Sequence, residues 1–206
     1  MMEIEKWLND VLEKKNKRAM PIITFPAATK LNISVKKLIN DTDQQVAALK
    51  IIKEECNPLA ILGFMDLSVE AECFGAEIKV TDNEVPTVVG QLIEDEDDAQ
   101  ALKVPAVGSG RSQLYIDAIK KTKAEIKDIP ILGGCIGPFS LAGRLMDVSE
   151  AMINCYEEPE MVHIVLKKAT KFLIDYISAY KEAGADGRVH QAGRHGVQGT
   201  GYREPG

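Results

Sequence analysis

The feature that most restricts this chain is a succession of short, unbroken apolar runs set between segments of helical period. LAILGFM (Leu59–Met65) and IPILGG (Ile129–Gly134) lack the alternation of apolar and polar residues, the pattern of strands covered on both faces. MPIITF (Met20–Phe25), bounded by Pro21 and Pro26, reads as an earlier strand of the same kind, and ADGRV (Ala185–Val189) as the start of a fourth. Between them lie helical patterns. Ile4, Trp7, Leu8, Val11 and Leu12 mark an amphipathic opening helix over Glu3–Lys17, and a second runs from Asp41 to about Glu55 with Asp41 or Thr42 as its cap. Others span Ser112–Lys127, open at Pro138 and Ser149, and follow Glu158-Pro159-Glu160 as far as Ala183, where Gly184 stops the helix. AEIKVTDNEVPTVV (Ala76–Val89) is expected to be extended, and IEDEDDAQ (Ile93–Gln100) to be a solvated loop or a helix N-terminus.

Buried strands separated by helices predict an α/β protein with a parallel sheet, either an open doubly wound sheet or a closed (β/α)8 barrel. A complete barrel takes roughly 250 residues, and the chain has 206. The expectation is a barrel short of one or more strand–helix units, whose open edges invite association between copies.

A net charge of −6 argues against nucleic acid as a partner, because affinity for phosphate backbones rests on clustered Lys and Arg. No apolar run reaches membrane-spanning length, and the charged N-terminus lacks a signal core, so a cytoplasmic protein is expected. Cys56, Cys73, Cys135 and Cys155 stand far apart with no C-x-x-C pair, which fits thiols better than a disulfide framework or a zinc knuckle.

Ligands of parallel α/β folds gather at the C-terminal ends of the strands. Asp66 stands there, directly after LAILGFM. It can accept hydrogen bonds from a ligand, or it can cap the helix that follows, with Glu70 completing a capping-box-like pair. GGCIGPFSLAGR follows the IPIL strand. Gly137 lets the backbone approach a ligand, Ser140 lies in the first helical turn, and Arg144 either reaches back to a carboxylate or lies on the surface. This segment matches neither G-x-G-x-x-G, nor the P-loop, nor G-x-S-x-G. Cys135 is either a reactive thiol or a small buried residue. VGSGRSQ (Val107–Gln113), with Ser109 and Arg111, is either a phosphate-cradling turn or a plain loop-to-helix junction. His163 is read as structural. His190 and His195 lack the i, i+4 spacing of a helical metal pair.

MDLSVEAECFGAEI, GGCIGPFSLAGRLMDVSEAM and YKEAGADG together resemble the uroporphyrinogen decarboxylase superfamily, in particular its methylcobamide:coenzyme M methyltransferase branch, over about Arg18 to Gly187. The resemblance implies a (β/α)8 barrel, present here as an incomplete N-terminal portion, with its site at the C-terminal mouth. Asp66 matches the aspartate that meets the pyrrole N–H groups in the decarboxylases. Two departures disfavour decarboxylation: FPAATKLNIS replaces an arginine-containing segment, and Arg144 falls where the decarboxylases carry an active-site tyrosine. The branch implies transfer of a methyl group from a methylated corrinoid to a thiol such as coenzyme M, with a corrinoid protein as partner. Its zinc, held by His-x-Cys and a later cysteine, activates the thiol. No cysteine here stands in a His-x-Cys arrangement, so no metal residues carry over and no cofactor is expected on this chain alone. The alternatives are decarboxylation of a tetrapyrrole substrate, as in porphyrin biosynthesis, and a non-catalytic corrinoid- or partner-binding module.

The barrel domain is thus expected over 1–187. The remaining RVHQAGRHGVQGTGYREPG abandons the pattern and reads as an aberrant tail over 188–206, disordered, from a truncated or frameshifted terminus.

Overall fold

The computed structural model describes residues 4–23 and 25–191. Its centre is β4 (Ile131–Ile136), buried at every position, which accounts for a run without alternation. β4 pairs in parallel with β1 (Ile61–Leu62) on one side and β5 (Gly187–Gln191) on the other. The registers are Ile61↔Ile131 and Leu132↔Gly187 through Ile136↔Gln191. β5 thus continues through Gln191, into the stretch expected to be tail. Residues 192–206, including His195, lie outside the described residues, as does the side chain of His190.

Helices cover this sheet. They are α1 (Ile4–Glu13), α2 (Pro26–Leu31), α3 (Val35–Ile39), α4 (Thr42–Cys56), α5 (Val69–Phe74), α6 (Glu96–Ala101), α7 (Ser112–Glu125), α8 (Pro138–Met146), α9 (Val148–Glu157) and α10 (Pro159–Glu182). Asp41 caps α4 by accepting from Asp43 N and Gln44 N at 2.9 and 3.2 Å. Asp95 does the same for α6 from Asp98 N at 2.9 Å, so the acidic run is a helix start. In α10, Val162, Val165, Ala169, Phe172, Leu173, Tyr176 and Tyr180 form the buried stripe. Its rings stack in sequence, with centroids 5.7 Å apart for Phe172–Tyr176 and 4.6 Å for Tyr176–Tyr180. Gly184, at φ +99°, ends the helix in the left-handed region that glycine enters without strain.

Two expectations change and a third gains detail. Of MPIITF, the described Met20–Ile23 pair in no ladder, and just before them Ala19 O accepts from Leu59 N, ahead of β1, at 2.8 Å. Pro21 has no N–H to donate, and Pro26 starts α2 at the position proline favours. β1 holds only two residues of LAILGFM, although Gly63 N still reaches Leu132 O at 2.8 Å. Ala76–Val89 folds into an antiparallel hairpin of β2 (Glu77–Lys79) and β3 (Thr87–Val89), apart from the main sheet.

The paired glycines of β4 are a packing requirement. A Cβ on Gly134 would lie 2.4 Å from Met65 Cγ, and one on Gly133 would lie 2.9 Å from the Tyr180 ring. Asp186, just before β5, accepts from Ile131 N at 3.0 Å and ion-pairs with Lys123, fixing β5 at the end of β4 opposite the site.

Candidate active site at the strand ends

Past Leu62 the backbone of β1 runs through Gly63, Phe64 and Met65 and delivers Asp66 to the C-terminal end of the sheet. Asp66 is 2% exposed. Its Oδ1 accepts from Ser68 N at 3.1 Å and Ser68 Oγ at 2.6 Å. Its Oδ2 accepts from the Tyr115 hydroxyl at 3.1 Å and ion-pairs with Arg111 Nη1. A carboxylate offers about four lone-pair sites, so the protein's own donors saturate Asp66. The two bonds from Ser68 are local, and the one from its N–H forms the turn; the other two donors come from α7 and the loop before it.

Arg111, 7% exposed, also donates from Nε to Glu72 Oε2 at 2.7 Å and from Nη2 to Ser68 Oγ at 3.0 Å. Its guanidinium therefore ties α5 to the start of α7. Carboxylates on two sides raise its affinity for the proton although burial opposes this. Burial, reinforced by the Asp66 charge, holds the Tyr115 hydroxyl well above its ordinary range, so it stays a donor. VGSGRSQ is not a phosphate cradle: Gly108 N donates to Ser112 Oγ at 3.0 Å, and Ser112 Oγ to Ser109 O at 2.6 Å, so the loop bonds itself. Ser109 donates to Ala106 O instead of capping α7.

Glu70 does not close a capping box. It turns inward and accepts from Ile136 N at 3.1 Å, joining α5 to the last residue of β4. Burial pushes this carboxyl up to about 7; the Ile136 N–H opposes the rise, and the Asp66 charge adds to it. Gly137 follows β4 as a buried residue at the start of α8, and Ser140 is half-buried in the first turn. Arg144 is half-buried two turns on. Burial lowers its proton affinity while the charges of Glu70 and Asp66 raise it, so it is not a plain surface residue. Its Nε is buried with no hydrogen-bond partner among the described residues. Cys135 is 2% exposed and burial pushes its thiol up to about 12, which removes it as a nucleophile at neutral pH. His163 is exposed on α10, on the cleft along its outer face.

Glu70, Tyr115 and the Arg111 pairing were not legible as site features in the chain. Glu70 carries the spacing of a capping partner, and Arg111 reaches Asp66 across 45 residues of sequence. The larger clefts lie elsewhere, about 540 Å³ along the outer face of α10 and about 590 Å³ between the C-terminal ends of α4 and α7. The second is edged by exposed ion pairs. We place the site at the strand ends because the buried charges converge there. No group of three His, Cys, Asp or Glu among the described residues could hold a metal ion. The donor set of the described residues thus does not fit zinc. No helix among them is long and apolar enough to cross a membrane.

This arrangement defines a portion of a (β/α)8 barrel with a charged cluster at its C-terminal mouth. A methyltransferase from Methanosarcina mazei superposes with a TM-score of 0.79 at 23% identity, over 91% of this chain and 58% of that one, which establishes the fold. The profile of the family described as uroporphyrinogen decarboxylase (URO-D) matches residues 16–190, and the chain belongs to that family. Methylcobamide:CoM methyltransferase MtbA of Methanosarcina acetivorans is 35% identical over 124 residues, 59% of this chain and 36% of the relative. Uroporphyrinogen decarboxylase of Coxiella burnetii is 29% identical over 136 residues, 62% of this chain and 37% of the relative. The chain thus spans little more than a third of the length of these relatives.

Proposed function

We propose that this chain is the first portion of a corrinoid-dependent methyltransferase, presenting the macrocycle-facing side of the barrel mouth and inactive by itself in methyl transfer to a thiol such as coenzyme M. Arg144 carries the reading. A guanidinium whose Nε is buried with no hydrogen-bond partner among the described residues stands on the helix that follows β4, where the resemblance would give a decarboxylase a tyrosine, and such a group is a counter-ion for an anionic ligand group. The higher identity to the methylcobamide:CoM methyltransferase than to the decarboxylase supports the same choice. Gly137 and Ser140 would border the ligand at the start of α8. Asp66 would accept from ligand N–H groups once Tyr115 or Arg111 withdraws, since all its positions are now filled. Decarboxylation of uroporphyrinogen is the second reading, favoured by the family match itself.

The test is binding. Titration of the chain with hydroxocobalamin and with uroporphyrinogen, followed by absorbance or calorimetry, should show the corrinoid bound and the affinity reduced by Arg144→Leu and Asp66→Asn. Uroporphyrinogen binding followed by carbon dioxide release would establish the second reading. If Asp66→Asn leaves every affinity unchanged, the site assignment fails.

A further inference from the structure

α9 buries almost nothing. Ala151 is its one buried residue, while Val148, Met152 and Tyr156, four residues apart, are 57%, 63% and 94% exposed and Ile153 is 46% exposed. Residues four apart on a helix share a face, so this is a stripe. It continues onto α8: a Cβ on Gly143 would lie 3.3 Å from Val148 Cγ2, which places the two helices side by side there. One turn before Gly143, on the same side of α8, stands Phe139, 43% exposed. Single exposed apolar side chains are ordinary, but a contiguous face of large ones is a contact surface.

The charged side chains of α9 and of its two ends have one sign. Asp147, Glu150, Glu157, Glu158 and Glu160 are all exposed, and no lysine or arginine occurs from Leu145 to Leu166. We propose that this face of α9, extended by Phe139, docks a protein partner whose contact surface is apolar at its centre and basic around its rim. A second copy meeting the face by two-fold symmetry would set carboxylates against carboxylates. Anionic lipid surfaces and nucleic acids would be repelled by the same carboxylates. A basic rim, by contrast, is steered in. Phe139 follows Gly137 and Pro138 at the end of β4, so the docked partner would stand beside the strand-end mouth. The inference rests on the surface alone and survives or fails separately from the chemistry proposed for the mouth.

The probe is a fluorescent amphipathic helical peptide of leucine and lysine, with a leucine–glutamate counterpart as control. The full chain should bind the lysine peptide and not the glutamate one. The neutral double variant Met152→Ser/Tyr156→Ser should bind roughly tenfold more weakly, whereas Ile174→Ser on α10 should bind as the parent does. Bound peptide should also slow alkylation of Cys155, exposed on α9, but not of Cys56, exposed at the end of α4. Circular dichroism melting confirms that each variant is folded. Equal binding by parent and double variant would mean adsorption to general negative charge and would overturn the proposal. So would unprotected Cys155, or self-association of the parent that the double variant loses.

Discussion

Arg111 and Asp66, 45 residues apart in sequence, meet as a buried ion pair at the strand ends, with the Asp66 side chain fully covered and that of Arg111 only 8% exposed. The pair makes the region from α5 to the start of α7 one unit, because the same guanidinium also holds Glu72 and Ser68. Removing one member of a buried pair strands the other, at a cost of about 3–5 kcal/mol, whereas removing both costs less than the sum. Arg111→Met and Asp66→Asn are each expected to lower stability by several kcal/mol, and the double variant by less than the two together. Urea unfolding midpoints of the four proteins measure this coupling. Additive losses would show that the two side chains do not depend on each other.

Glu70 predicts a pH dependence opposite to that of an ion-paired carboxylate. Its carboxyl is raised from an ordinary 4.5 to about 7, chiefly by burial. Between those values the folded protein holds a proton that the unfolded chain has released, so stability falls as pH rises through this window and the loss is complete above about 7. A rise of this size in proton affinity corresponds to a loss on the order of 3 kcal/mol. Glu70→Gln removes the titration while keeping an acceptor for Ile136 N. Denaturation at pH 5 and pH 8 should show the parent losing stability between the two and the variant losing much less. An equal slope in both would assign the dependence to other groups.

The glycine pair of β4 predicts a steric penalty. At Gly133 an added Cβ would lie 2.9–3.1 Å from Cδ2, Cγ and Cβ of Tyr180. Tyr180 is 3% exposed and its hydroxyl is bonded to Tyr176 at 2.7 Å, so the ring cannot swing away without breaking the aromatic stack. Gly133→Ala should cost about 1–3 kcal/mol, the usual range for overpacking. The melting temperature is the readout. The Gly133→Ala/Tyr180→Leu double variant should recover part of the loss if the collision is its cause.

Elements with local determinants were readable from the chain. Asp41, Pro138 and Pro159 announced helices that the structure contains, Gly184 announced an end, and the unbroken apolar run of β4 announced a strand buried on both faces. MPIITF misleads because an apolar run says that a segment is covered, not that it has a strand to pair with; Pro21 removes a donor such a strand would need, and Pro26 turns the chain into α2. At the site, the position of Asp66 was legible from the strand it follows. Its saturation was not, because three of its four donors are side chains, two of them supplied from more than forty residues away. Glu70 shows the same limit. Its spacing from Asp66 suggests capping, and only the approach of α5 to the end of β4 turns it into a buried acid bound to Ile136 N.

Cys135 and Cys155 are expected to separate by reactivity. Burial within β4 pushes the Cys135 thiol up to about 12 and leaves the residue 2% exposed, so at pH 8 almost none is thiolate and reagent has no path to it. Cys56 and Cys155 are exposed, and Cys73 is partly covered, its thiol bonded to Ser109 O at 3.2 Å and raised chiefly by burial. Treatment of the native chain with iodoacetamide at pH 8, followed by peptide mass mapping, should label Cys56 and Cys155 first, Cys73 slowly and Cys135 only after denaturant is added. Rapid labelling of Cys135 in the folded protein would mean that the strand ends open to solvent, and the buried charge cluster at the mouth would then have to be redrawn.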